Sequence, residues 1–180
     1  MTARKTYYGV RVSKEYLNFG AAHFLLFADG SREALHGHNY RVAVTLQGAL
    51  DQGGVVVDFL VLKPLVKAIC ERLDHRTLLP GASSAVQIVE RDGEVEVRHR
   101  RQRFVFPSSD ALVLPLENIS AEHLARYIAD HLLRALSEHC SGARLEMIEV
   151  EVEETPGQVA FVRRHDFDPA PCPRKGGGAQ

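Results

Sequence analysis

No run of apolar residues in this 180-residue chain is long enough for a transmembrane helix, and neither sign of charge is in excess. The first lack, together with the polar, basic opening M-T-A-R-K-T-Y-Y, predicts neither a membrane span nor a secretory leader. Lys and Arg number 22 against 23 Asp and Glu, a net charge of −1, which gives no reason to expect nucleic acid or an anionic membrane as partner. Cysteine is scarce as well. Cys70, Cys140 and Cys172 are odd in number, widely spaced and outside any CxxC or CxxH pattern, so they read as reduced thiols of a cytoplasmic protein rather than a thiolate metal site.

What is present is an ordinary globular composition, 45% hydrophobic and 25% charged, long enough to bury one core. One domain is expected over residues 1–165. The Pro/Gly-rich segment 166–180, D-F-D-P-A-P-C-P-R-K-G-G-G-A-Q, reads as a disordered tail. Thr6 to Phe19 alternates loosely and predicts a strand. From His38, Tyr40, Val42, Val44 and Leu46 alternate with polar or small partners, predicting a half-buried strand. Asp51–Gly54 reads as a turn and Val55–Val57 as a short extended piece. Phe59 to Leu73 carries apolar residues at helical spacing (Leu62, Leu65, Val66, Ile69, Leu73). Pro64 fits that helix only in its first turn, which leaves the start open.

Residues 81–115 break the rhythm, and a hairpin turned at Asp92-Gly93 is expected there. Ser120 is a good N-cap for a second helix, with Glu122 in its first turn and Leu124, Ile128 and Leu132 on its buried stripe. Arg144 to Glu154 alternates as a strand, and Thr155-Pro-Gly157 turns into a last strand, Gln158 to Arg163. The order β-β-α-(insert)-α-β-β predicts an α+β fold, a four-stranded antiparallel sheet with two helices on one face. Its open edges favour strand addition between subunits.

Residues two apart on a strand point to the same side, so H-G-H presents His36 and His38 to one face. His23 ends the first strand, and a hairpin pairing returns the chain to place it near His36. Three neutral imidazoles with no fourth protein ligand suit a catalytic zinc, whereas a carboxylate-rich site would suit magnesium or calcium. Ordinary core or surface histidines are the competing reading, because HxH alone is a weak signal.

The ordered motifs F-G-A-A-H, L-H-G-H-N-Y, V-D-F-L-V-L-K, R-L-D-H, E-N-I-S-A-E-H-L-A and V-E-V-E-E-T resemble the 6-pyruvoyl-tetrahydropterin synthase and 6-carboxytetrahydropterin synthase family, over about residues 5 to 163 outside the insert. The resemblance implies the T-fold (tunnelling fold), a homohexamer built as a dimer of trimers with active sites between subunits. It also implies Zn²⁺ on His23, His36 and His38 and a pterin substrate, 7,8-dihydroneopterin triphosphate. Asp74 and His75, which by themselves read as a helix end, match the family's acid/base pair. Glu154 matches the glutamate that anchors the pterin ring, and Glu153 should point the other way. Ser120 stands where the family has threonine, with Ile119 in place of a proline, so its capping role survives and a pterin contact is expected.

The chain departs from most of that family in one respect. No cysteine precedes H-G-H; the loop reads F-A-D-G-S-R-E-A-L-H-G-H. Glu33 stands there instead, in a form resembling the R-E-x-L-H-G-H subgroup, whose product shifts towards 6-hydroxymethyl-7,8-dihydropterin, a folate precursor. A retro-aldol lyase with Glu33 as base is therefore expected. The alternatives are 6-carboxytetrahydropterin or 6-pyruvoyl-tetrahydropterin synthase activity and, from another class, a non-catalytic pterin or metal binder. The Arg98–Arg103 run of the insert reads as a solvated hairpin face.

Overall fold

In the computed structural model, residues 6–139 and 144–165 are described. The tail expected beyond residue 165 lies outside them, as do Cys140 and Cys172. The long central strand β3 (His36–Gly48) has two strands on one edge, β1 (Tyr8–Val12) along its far half and β2 (Asn18–His23) along its start. The single strand expected from Thr6 to Phe19 is thus two strands, separated at residues 13–17. On its other edge β3 pairs antiparallel with β9 (Leu145–Thr155), and β9 pairs with β10 (Gln158–His165).

These are the four antiparallel strands expected, with the first split in two. The sheet is nevertheless larger. β4 (Arg76–Pro80) lies parallel to β2, and β8 (Ala111–Leu114) lies parallel to β4, giving seven strands. The reason lies in R-T-L-L-P. Leu78 and Leu79 are fully buried, and burying them extends the sheet beyond the free edge of β2. Such a short strand inside a longer polar stretch carries little periodic signal of its own.

Helix α1 (Phe59–Leu73) starts at its cap, Asp58, whose carboxylate accepts from Leu60 N. Pro64 therefore falls inside the helix, not in its first turn. The backbone hydrogen bond it forgoes belongs to the carbonyl of Leu60, at the exposed start of the helix. Val55–Val57 forms no strand, although Val56 and Val57 are buried. Helix α2 (Ala121–His139) begins after Ser120, whose Oγ accepts from His123 N at 3.4 Å. Leu124, Ile128 and Leu132 are fully buried, each burial contributing about 1.5–3 kcal/mol. The main core closes between Val66 and Leu73 of α1, these α2 residues, and the alternating Tyr40, Val42, Val44 and Ile148, Val150, Val152 of the sheet.

The insert is more than a hairpin. β5 (Gln87–Arg91) and β6 (Glu94–His99) meet at Asp92 and Gly93, both at positive φ, as a two-residue turn requires. β7 (Gln102–Pro107) then completes a three-stranded antiparallel sheet. Its apolar face forms a second core, in which Val95 and Val97 join Phe24, Leu79 and Ala111. Among the described residues, no helix is long and apolar enough to cross a membrane.

Candidate metal centre and active site

His23 and His36 are direct partners across β2 and β3, and His38 follows two residues along β3. Strand geometry therefore puts all three on one face. Their ligand-capable atoms lie within 4.8 Å of one another. Gly37 between them suits a close approach of the two strands, since a Cβ there would stand 3.0 Å from the carbonyl of Ala21.

Two of the imidazoles are oriented by backbone carbonyls. His23 Nδ1 donates to Ile119 O and His36 Nδ1 to Ala34 O, each at 2.8 Å, which leaves both Nε2 lone pairs turned to the cluster. Burial lowers the His23 pKa against the opposing bond to Ile119, and His36 and His38 lower it further. His23 is thereby kept neutral, the form a metal ligand needs.

Fully buried Tyr40, next on the same face of β3, lies 3.1 Å from His23 Nε2 and 3.3 Å from Glu154 Oε1. Burial, with Glu154 beside it, holds the phenol well above its ordinary range, so it stays a donor. Its one proton cannot serve both acceptors, and a lone pair is left at the centre. Glu33 adds another: its Oε2 is shielded from solvent, has no hydrogen-bond partner, and stands 3.8 Å from His36 Nε2. Three imidazole nitrogens within one ligand shell's reach, with acceptor lone pairs of Tyr40 and Glu33 beside them, form a donor set that would fit a divalent metal ion.

Glu154 Oε1 lies 3.5 Å from His23 Nε2 and 3.9 Å from His38 Nε2. By strand alternation it shares the face of Val152, which pairs with Val42 of β3, and it lies where the β9–β10 register shifts. Glu153 does point elsewhere, to Arg41 and the amide of Gly157.

Asp74 caps the end of α1, and His75 follows in a left-handed conformation (φ 54°). Asp74 Oδ1 accepts from Gly20 N at 2.7 Å, and His75 N donates to Gly20 O. Asp74 Oδ2 is 2.8 Å from His75 Nδ1. Desolvation raises the Asp74 pKa, but the bonds from Gly20 and His75 outweigh it and the net shift is down. The His75 ring is open to solvent. Among the described residues, no hydrogen bond or ion pair joins this pair to the three histidines, although one cleft of about 520 Å³ is lined by both His38 and His75. Ser120 is beside the site through its neighbour Ile119, and its hydroxyl is engaged with His123 at 3.0 Å.

Sequence reasoning missed Tyr40, although its place two residues after His38 was a usable signal. It also missed the carbonyls of Ile119 and Ala34, which no side chain advertises. Cys70 takes no part: it is buried in the main core, and burial, with Asp74 nearby, pushes its thiol up to about 12.

Residues 11–165 match the family model for 6-pyruvoyl tetrahydropterin synthase. A Methanocaldococcus jannaschii protein named 6-carboxy-5,6,7,8-tetrahydropterin synthase is 32% identical over 83% of this chain and 91% of its own. A Pyrococcus furiosus dihydroneopterin monophosphate aldolase is 39% identical over 34% of this chain and 51% of its own. Among solved structures, the Plasmodium vivax 6-pyruvoyltetrahydropterin synthase superposes with a TM-score of 0.82 at 32% identity, covering 89% of this chain and 99% of that one. It was solved with a catalytic glutamate replaced by alanine and by cysteine.

Proposed function

This chain belongs to the 6-pyruvoyl tetrahydropterin synthase family, and within it we propose a zinc-dependent lyase that cleaves the side chain of 7,8-dihydroneopterin triphosphate by a retro-aldol reaction. The product is 6-hydroxymethyl-7,8-dihydropterin, with the phosphorylated two-carbon aldehyde leaving. The observation that carries this reading is Glu33: a carboxylate, not a thiol, stands beside His36 with its Oε2 unpartnered. The P. vivax relative, which carries a catalytic glutamate, and the aldolase-named relative support it.

His23, His36 and His38 are the residues to hold zinc. When bound, zinc supplies Lewis acidity that lowers the pKa of the substrate's side-chain hydroxyls. Glu33 takes the proton of the hydroxyl on the second side-chain carbon, and a carbonyl forms there as the bond to the first carbon breaks. The released electron pair is drawn into the conjugated C6=N5 unit of the pterin, and the first carbon then takes up a proton. His75, oriented by Asp74, is the proposed proton donor for that last step. Glu154 receives the ring N–H and exocyclic amine of the pterin as a two-point acceptor. Ser120 is proposed to flank the ring.

A second reading, 6-carboxytetrahydropterin synthase, is favoured by the name of the M. jannaschii relative. One experiment separates the two: incubate the zinc-loaded protein with dihydroneopterin mono- and triphosphate and identify the products by mass. Hydroxymethyl-dihydropterin as the main product supports the lyase. Exclusive formation of the carboxy or pyruvoyl product overturns it, and no turnover would favour a binding protein.

A further inference from the structure

The three-stranded insert grips the loop that joins the first two histidines. At the loop's start, Phe24 follows His23, is fully buried, and stacks on Phe104 of β7 at 5.9 Å. At its turn, His99 Nε2 lies 3.1 Å from Gly30 O, and Arg100 Nη2 donates to Asp29 O at 3.3 Å. Near its end, Arg32 reaches the insert while its neighbour Glu33 faces His36. Arg32 Nε donates to Gln102 Oε1 at 2.7 Å, and its guanidinium lies 4.6 Å over the Phe104 ring. The same guanidinium donates through Nη1 to the backbone carbonyl of Glu33 at 2.6 Å.

Arg32 therefore connects the insert to the main chain of the residue assigned as base. Only a planar fork makes this connection. Arginine stacks its face on Phe104 while divergent N–H groups serve Gln102 and Glu33 together; a lysine ammonium keeps the charge but not that geometry.

We propose that Arg32 is a positioning residue, through which the insert sheet fixes the backbone of Glu33 and hence the direction of its carboxylate. The inference rests on the reading of Glu33 as base. Misplacing a base by about 1 Å costs on the order of 100-fold in rate without altering how substrate binds.

The test is a kinetic cycle on the zinc-loaded enzyme with dihydroneopterin triphosphate. Arg32→Lys and Gln102→Leu should each lower kcat about 10- to 100-fold with KM and zinc content held, and Gln102→Glu, which keeps the acceptor, should retain parental kcat. In a Glu33→Gln background, Arg32→Lys should change kcat by less than about twofold, because residues acting as one unit are not additive. Parental kcat in Arg32→Lys, or an equal loss in both backgrounds, overturns the proposal while leaving Glu33 as base. Parental turnover by Glu33→Gln removes the base reading and this inference with it.

Discussion

Glu33 Oε2 stands 3.8 Å from His36 Nε2, shielded from solvent and bonded to nothing. The side chain as a whole is 39% exposed, so its carboxylate meets solvent on one side and the histidine cluster on the other, as the proposed base requires. Replacing Glu33 by Gln keeps the shape and removes the proton acceptor. Formation of hydroxymethyl-dihydropterin should fall about 10²- to 10⁴-fold with zinc still bound. Glu33→Cys should regain some turnover and shift the products towards the pyruvoyl or carboxy type. Near-parental kinetics for Glu33→Gln would make it a loop charge.

Metal content follows from the three facing imidazoles. Elemental analysis should find about one zinc per chain, lost in His36→Ala and in His38→Ala while circular dichroism stays parental. Full zinc in both variants would refute the assignment.

Glu154 sits against His23, His38 and Tyr40, the position from which it is proposed to anchor the pterin. Glu154→Ala should abolish turnover and weaken binding of a pterin analogue, measured by calorimetry, with zinc retained. Unchanged analogue affinity would remove it as the anchor.

Among the described residues, the sheet ends in unpaired edges at β10 and β8, and β10 exposes Val159 and Phe161. Strand addition between copies would cover such edges. Light scattering at micromolar concentration should give roughly six times the 20.0 kDa chain mass. A clean monomer would exclude the expected hexamer.

The insert has its own pH signature. Arg103 and then Arg98 hold the Glu96 carboxyl down to about 2 from an ordinary 4.5. Its folded pKa is depressed, so its contribution is complete above 4.5 and is lost as pH falls towards 2. The protection of the β6 and β7 amides, taken against the intrinsic exchange rate at each pH, should fall over that window in the parent and stay level in Glu96→Gln. Identical profiles would show that Glu96 does not hold the insert.

Much of this could be read from residue order. Periods of two and 3.6 located β3, α1, α2 and β9 because each buries one face, and one-sided burial writes itself into the pattern; β10, half-buried on one face, followed from the turn before it. H-G-H brought two imidazoles to one side by strand geometry alone, and Ser120 announced a helix start through its hydroxyl. The Arg98–Arg103 run is solvated as read, apart from buried His99; what it did not announce is that Arg98 and Arg103 also close on Glu96.

The sequence by itself determined which chemistry-bearing residues stand in which order: three histidines, an Asp-His pair, a paired Glu-Glu and no thiol before H-G-H. Tertiary structure alone decided their company. The Ile119 carbonyl that orients His23 comes from 96 residues away, and the Gln102 that holds Arg32 from 70. Glu154 reaches the histidines because β9 pairs with β3 in the register that puts Val152 opposite Val42, a pairing more than 100 residues apart in sequence. A local pattern records which way a side chain faces. What it meets there is fixed by chain closure over long separations, in which backbone carbonyls and single side chains leave no periodic trace.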